Sequence, residues 1–429
     1  MIDTGYKMFG LGDAVVVGYD ISNEYAQISY LENGKEPGKT ISLVPGTEQY
    51  NIPLCLFKRK EVNQWFVGKE AVNFNTMEEG DMVWNLWELA LNGELVQVGD
   101  EEFNPISLLA LYIKRSLVLL NAEVKKESIK GMMFTVPVLT KRSLEVLEAV
   151  TASIDWKNVE ISFQGREESI YYYVAHQPTE LWNNDVMVYD YNGIEMNCFH
   201  FHVNKMTKPR VAFVDRKDIN IGKLTDEELD DRFLNLVSET MDGCIVSLVY
   251  LLGDGFNGEW LKNSIKEVCR NRRAFKGNNL YSRGAAYAMY EKLSSRLETR
   301  SMIFLGQDKL RANVGMDVYR KGEESYLALL DGGENWFDSK KVVDIILDEG
   351  NSFVIKITPL DGRNVRFVEI VLDGLAEHEP KAVRIRLEVM MESEDILRVN
   401  AEDMGFGDFN PASERLFTKQ ISLGLDKNI

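Results

Sequence analysis

Residues 15–31 read VVVGYDISNEYAQISYL, and residues 186–203 read VMVYDYNGIEMNCFHFHV. Each stretch is an apolar run closed by an aspartate, then a short polar turn, then a second strand-like run. Short runs rich in valine and aromatic residues are the pattern of buried strands. An aspartate ending such a strand is held in a dry, fixed place. Two of them facing one another, Asp20 and Asp190, can hold a hydrated Mg²⁺. The turns that follow, Ser22-Asn23 and Asn192-Gly193, can offer backbone N–H groups to phosphate. The plainer reading of each aspartate is a turn former at a strand end.

Outward from these copies, strand and helix signals alternate as far as about residue 300. Gly38–Val44 reads as a strand after the Asn33-Gly34 turn. A helix is expected from Pro105 to Leu120, with Asn104 as its cap and Pro105 at its first position. Phe134-Thr135-Val136-Pro137 closes a strand, and Thr140 opens an amphipathic helix. Val159–Phe163 is read as a strand and Glu167–Ala175 as a helix. Thr225–Met241 is read as an acidic helix and Ile245–Leu252 as a fully apolar strand, with helices at Gly258–Arg270 and Tyr281–Leu297. Beyond about residue 300 the apolar period becomes two, in Phe353–Ile357, Val383–Val389 and Leu397–Ala401. Turns at Asp361-Gly362 and Asp373-Gly374 accompany it. This is the pattern of an antiparallel sandwich.

The chain has 429 residues, 45% of them apolar, and a net charge of -18 from 67 acidic and 49 basic residues. The acidic balance argues against nucleic acid and anionic membrane as partners. No run approaches the roughly 18 apolar residues of a membrane span, and the N-terminus MIDTGYKMFG has no secretory pattern. The four cysteines, Cys55, Cys198, Cys244 and Cys269, are scattered and suggest no disulfide framework. The expected compartment is the cytoplasm.

These pieces resemble, in order, the superfamily of actin, hexokinase and the DnaK-type heat-shock chaperones. Asp20 and Asp190 match the aspartates of its two phosphate loops, and Phe134–Pro137 is similar to the chaperones' valine-proline strand. Glu167 stands where those chaperones place a catalytic glutamate. Gly253-Asp254-Gly255 matches the glycine pair against the adenosine, and Arg283-Gly284-Ala285-Ala286 the helix start after it. Leu397–Gly405 (LRVNAEDMG) is similar to the last strand and turn of their peptide-binding sandwich. The resemblance implies an α/β two-lobed, actin-like (ribonuclease H-like) ATPase domain over residues 1–300. It implies a lidless all-β sandwich over 301–429. It also implies ATP or ADP with Mg²⁺ as cofactor, with Asp20 and Asp190 at the metal. Asp20, Ser22, Asn23, Asp190, Asn192, Gly193, Gly253, Asp254, Gly255 and Gly284 would then line the nucleotide. A polypeptide would bind the sandwich.

The chain departs from the family where phosphate should sit. Ser22-Asn23-Glu24 stands in place of glycine-threonine-threonine, and Asn192-Gly193-Ile194-Glu195 in place of a glycine-rich loop. A glutamate repels a triphosphate, and lost glycines remove close backbone approach. No lysine matches the one that supports hydrolysis. Only about 50 residues separate the second loop from the Ile245 strand, so one subdomain must be short. The reading is a divergent DnaK-like chaperone or scaffold with weak or lost ATPase. The alternative is an actin-superfamily enzyme, a small-molecule kinase or active ATPase. Cys198, His200 and His202 share one face of a strand and offer a metal site against a simple covered polar face. Tyr171-Tyr172-Tyr173 and Met390-Met391 read as packing. Met302–Leu305 reads as the sandwich's first strand or as a segment docked on the first domain.

Overall fold

The structure is a computed structural model. It describes residues 14–32, 37–60, 62–154, 156, 158–206, 210–294, 302–306, 308–360, 364–375, 379–407, 411–413 and 415–424. The Asn33-Gly34 and Asp361-Gly362 turns, the N-terminal MIDTGYKMFG segment and the end of the Tyr281–Leu297 helix fall outside these residues. The chain divides into two compact units, Met1–Met302 and Ile303–Ile429.

The first unit is built on two sheets of like connectivity. In one, the strand Val15–Ile21 lies parallel to Ile129–Val136 and antiparallel to Tyr25–Glu32, and Ile129–Val136 is parallel to Glu160–Gly165. In the other, Asp185–Tyr191 lies parallel to Val246–Leu252 and antiparallel to Glu195–Asn204, which pairs in turn with Arg210–Asn220. Val15–Tyr19 and Val186–Tyr189 carry no charged residue ahead of Asp20 and Asp190 and are buried, as strands covered on two faces are. Asp20 stands opposite Gln27 and Thr135, and Asp190 stands opposite Asn197 and Leu252. The sequence duplication is therefore a structural one.

Caps fix the helices. Asn104 Oδ1 accepts from Ile106 N at 2.9 Å, with Pro105 following it. Thr140 and Thr225 each make a reciprocal capping box, with Ser143 and Glu228. The helix Pro105–Ser116 continues as a 3₁₀ segment, Leu117–Ala122. Together they reach the length and apolarity of a membrane span, which corrects the expectation that no stretch does. Half of that window is buried in the protein, including Leu109, Tyr112 and Ile113.

Two expected elements shrink. The strand expected at Gly38–Val44 is only Lys39–Thr40, because Ser42 Oγ donates to the Val44 carbonyl at 2.8 Å and turns the chain. The helix expected at Gly258–Arg270 is only Ser264–Val268. The stretch before it instead tucks Trp260 under the fold, its Nε1 donating to the Gly255 carbonyl at 2.8 Å.

The helix Leu280–Leu293 packs on the Asp20 strand at backbone distance. A Cβ on Gly18 would lie 2.0 Å from the Ser282 carbonyl oxygen, and one on Gly284 would lie 2.1 Å from the Ser169 carbonyl oxygen. Both positions demand glycine for space. The three tyrosines Tyr171, Tyr172 and Tyr173 are buried, as packing requires.

The second unit holds two antiparallel four-stranded sheets. One runs Glu323–Leu330, Ala312–Arg320, Ser352–Pro359, Arg366–Val371; the other runs Lys340–Ile346, Arg384–Met391, Ile396–Asp403, Leu416–Ser422. Alternate residues from both, among them Val314, Ile355, Ile357, Leu387, Val389 and Val399, form one buried cluster. Met391 joins that cluster and Met390 does not. Met302 begins the strand Met302–Leu305 but belongs to the first unit, where its carbonyl accepts from Tyr171 Oη at 3.3 Å.

Candidate functional site

The two aspartates come together, and the cation between them is an arginine. Arg166 Nη2 lies 3.4 Å from Asp20 Oδ2, and its Nη1 lies 3.2 Å from Asp190 Oδ2. The guanidinium stacks on the Tyr281 ring at 4.3 Å, and Tyr281 Oη donates to Asp190 Oδ2 at 2.9 Å. Asp20, Asp190 and Arg166 are 0%, 6% and 6% exposed, so water screens this cluster little. Burial drives the Asp20 carboxyl above its ordinary range, Arg166 pulls it back, and Asp190 raises it again. Arg166 stays charged despite its burial, held so by Asp20, Tyr281, Asp190 and Tyr25. Asp20 Oδ1 and Arg166 Nε have no hydrogen-bond partner among the described residues.

This donor set does not fit the expected Mg²⁺. A magnesium ion keeps several waters between its carboxylates, and here a guanidinium and a tyrosine ring fill that space. No step routed through the metal follows from the geometry.

The two turns also bind several of their own amides. Ser22 Oγ accepts from Glu24 N at 3.2 Å and Tyr25 N at 2.9 Å. Asn192 Oδ1 accepts from Ile194 N at 2.9 Å and Glu195 N at 2.8 Å. Four N–H groups of the turns are thus satisfied by the loops' own side chains. Gly193, at φ 101°, makes the second turn possible. Around them the field is negative. The Glu24 carboxyl is raised by partial burial and then by Asp254, Asp190 and Glu195.

Gly253 and Gly255 press the next loop onto the second turn. A Cβ on Gly253 would lie 2.3 Å from the Tyr191 carbonyl oxygen, and one on Gly255 would lie 2.7 Å from Gly193 N. Their role in this structure is loop packing. Asp254 accepts from Asn51 Nδ2 at 3.1 Å and from Asn257 Nδ2 at 3.0 Å. Gly284 is set against the Ser169 backbone, a packing position. Glu167 lies beside the cluster, 3.6 Å from Arg216 Nη1, and Arg216 also pairs with Asp218 at 2.7 Å. Asn23 is exposed at the tip of its turn.

A cavity of about 930 Å³ opens elsewhere in this unit, lined by Tyr50, Tyr173, Tyr250, Phe275 and Arg283 among others. Neither aspartate lines it.

Arg166 is not among the residues that the sequence singles out, and neither is Cys244 as a neighbour of the histidines. An arginine at the first position of the helix Arg166–Ala175 faces the positive end of the helix dipole, but that does not show which carboxylates offset it. Cys198 is covered by core, and burial pushes its thiol up to about 12.

A family model described as "Family of unknown function (DUF5716) C-terminal" matches residues 37–307. The chain belongs to that family. A second, described as "Domain of unknown function (DUF8552)", matches residues 309–423. No curated protein matches the chain. Arg166, Asp190 and Tyr281 lie inside the first matched region; Asp20 precedes it.

Proposed function

We propose that the first unit is a divergent actin/DnaK-type domain whose nucleotide cleft has been closed by its own side chains. On this reading the chain is a chaperone-like scaffold without ATPase activity, and its second unit binds an extended polypeptide. The observation that carries the reading is the Arg166 guanidinium held between Asp20 and Asp190 at 3.4 and 3.2 Å. Three further features support it. The two sheets repeat one strand order around their aspartates. Ser22 and Asn192 each accept from two amides of their own turn, leaving fewer for a phosphate. Glu24, Glu195 and Asp254 give the cleft mouth a charge that repels a triphosphate. Phosphoryl transfer is catalysed almost wholly by positioning and by positive charge at the transferring group, and that charge is here spent on the protein's own carboxylates.

The second unit offers sheet edges, which sheets use to hold extended peptides by strand addition. Such binding is expected to be weak and in fast exchange.

Calorimetry with Mg-ATP and Mg-ADP, with phosphate release measured in parallel, tests the proposal. The expected result is no saturable heat at millimolar nucleotide and no release above background. Turnover at about 1 s⁻¹ or faster, a typical kinase rate, would refute it.

A further inference from the structure

Away from the aspartate pair, the second sheet carries a different cluster. His200 and His202 sit on the strand Glu195–Asn204 and point to one face, two residues apart. Asp215 stands directly opposite His200 on Arg210–Asn220. On the other side, Asp185 is the first residue of Asp185–Tyr191, whose Val186 pairs with Phe201. Asp185 therefore faces the same way as the two histidines. The helix Asp226–Thr240 covers the earlier part of this face, including Cys198. It ends there, and the turn after it brings Cys244 down beside Asp185 and His200.

The result is two triads that share His200. In the first, one donor atom each from Asp185, His200 and Cys244 lie within 4.8 Å of one another, all three residues being half-buried. In the second, His200, His202 and Asp215 do the same. Asp185 Oδ2 is 2.8 Å from His200 Nε2, and Asp215 Oδ2 is 2.9 Å from His202 Nε2. The histidine rings are 4.9 Å apart.

We propose that Asp185, His200 and Cys244 bind a single divalent zinc-class ion. Three donors of three kinds converge from two strands and a turn, and imidazole with thiolate selects zinc over magnesium or calcium. A Zn–N or Zn–O bond of about 2.1 Å and a Zn–S bond of about 2.3 Å put tetrahedral donors some 3.5 Å apart. Donors already within 4.8 Å reach that spacing by small rotamer shifts. The Asp185 carboxylate beside Cys244 and His200 supplies negative charge to the site, and a bound dication takes the thiolate form of the cysteine. The ion goes to the first triad because only that triad holds sulfur. His202 and Asp215 adjoin it through the shared His200.

The test uses the full chain, stripped of metal and titrated with Zn²⁺ against a chromophoric chelator, then with Co²⁺. The expected result is one equivalent of zinc bound at micromolar or tighter affinity, with a thiolate-to-cobalt charge-transfer band in the Co²⁺ form. C244S should abolish that band and weaken zinc at least tenfold. D185N and H200A should each weaken it at least tenfold, while D215N leaves it within threefold. Circular dichroism checks that each variant is folded, and C244S, the mildest change, keeps the test valid if H200A is not. No saturable zinc in the wild type, or C244S binding as tightly as the wild type, would overturn the proposal. So would dependence on Asp215 with indifference to Asp185, which places the ion in the other triad.

Discussion

Replacing Arg166 with methionine should damage the first unit more than any surface change. The side chain keeps much of its length and loses its charge. At 3.2 and 3.4 Å and an effective dielectric near 20, each ion pair is worth about 5 kcal/mol of attraction. Desolvation takes most of that back in the wild type. The variant keeps the desolvation of Asp20 and Asp190 and adds their mutual repulsion, so about 3–5 kcal/mol of stability is lost. In a unit of this size that is roughly a 10 °C fall in Tm. The loss should depend on pH in a defined direction. Asp20 already has a folded-state pKa above its ordinary value, from burial first and Asp190 later, and removing Arg166 raises it further. A carboxyl with a raised folded pKa costs stability when ionised, and the cost disappears as pH falls below that pKa. The gap between R166M and wild type should therefore be widest near about pH 8 and narrow toward about pH 5. Adding D190N to R166M should recover part of the loss. Urea unfolding followed by tryptophan fluorescence measures all of this. An R166M protein within about 0.5 kcal/mol of wild type at the higher pH would sink the reasoning, because it would mean the aspartates carry no uncompensated charge.

Other expectations are simpler. Asp230 accepts from Lys262 N, Asn263 N and Ser264 N at 3.1, 2.8 and 3.0 Å and from Ser264 Oγ. Burial alone would raise its carboxyl, but the Ser264 hydroxyl and these amides hold it at about 2. D230N should therefore cost roughly 2 kcal/mol at neutral pH, a difference that fades as pH falls from about 4 through about 2, read by acid-dependent unfolding. G284V forces a side chain into the Ser169 backbone and should cost at least about 3 kcal/mol, seen as lost soluble yield or lowered Tm. L387A in the fully buried core of the second unit should cost about 2–5 kcal/mol and leave the first unit's transition in place. Residues 303–429 expressed alone should give a strand-type circular dichroism spectrum, and a helical or unfolded one would contradict the division into units.

The sequence discloses the paired aspartates because burial on both faces leaves an unbroken apolar run with one polar residue at its end. It discloses the second unit because a half-buried strand must alternate, as Phe353, Ile355 and Ile357 do. It conceals Arg166, since a charge offset by residues 146 and 24 positions away in sequence leaves no local pattern. It conceals Cys244 for a similar reason: what covers His200 is decided by where the helix Asp226–Thr240 ends. Gly284 is visible as a glycine at a helix start, but only the structure shows that the object pressed against it is Ser169. The short Ser264–Val268 helix follows from Asp230, which binds the amides of residues 262–264 and fixes where helical geometry begins.

The glycine-floored seat of the helix Leu280–Leu293 has a mechanical consequence. That helix is pressed onto the Asp20 strand at Gly18 and onto the Arg166 helix at Gly284. Its Tyr281 reaches across to Asp190 on the other sheet. Gln27 Nε2 ties the first sheet to the Asn278 carbonyl at 2.6 Å, and Asn51 Nδ2 reaches Asp254 at 3.1 Å. The two sheets are thus cross-braced at several points by bonds that involve no ligand. Separating the two sheets would have to break each of these bonds. The innermost of these ties is Arg166, which bonds one aspartate from each sheet and is shielded from water by both.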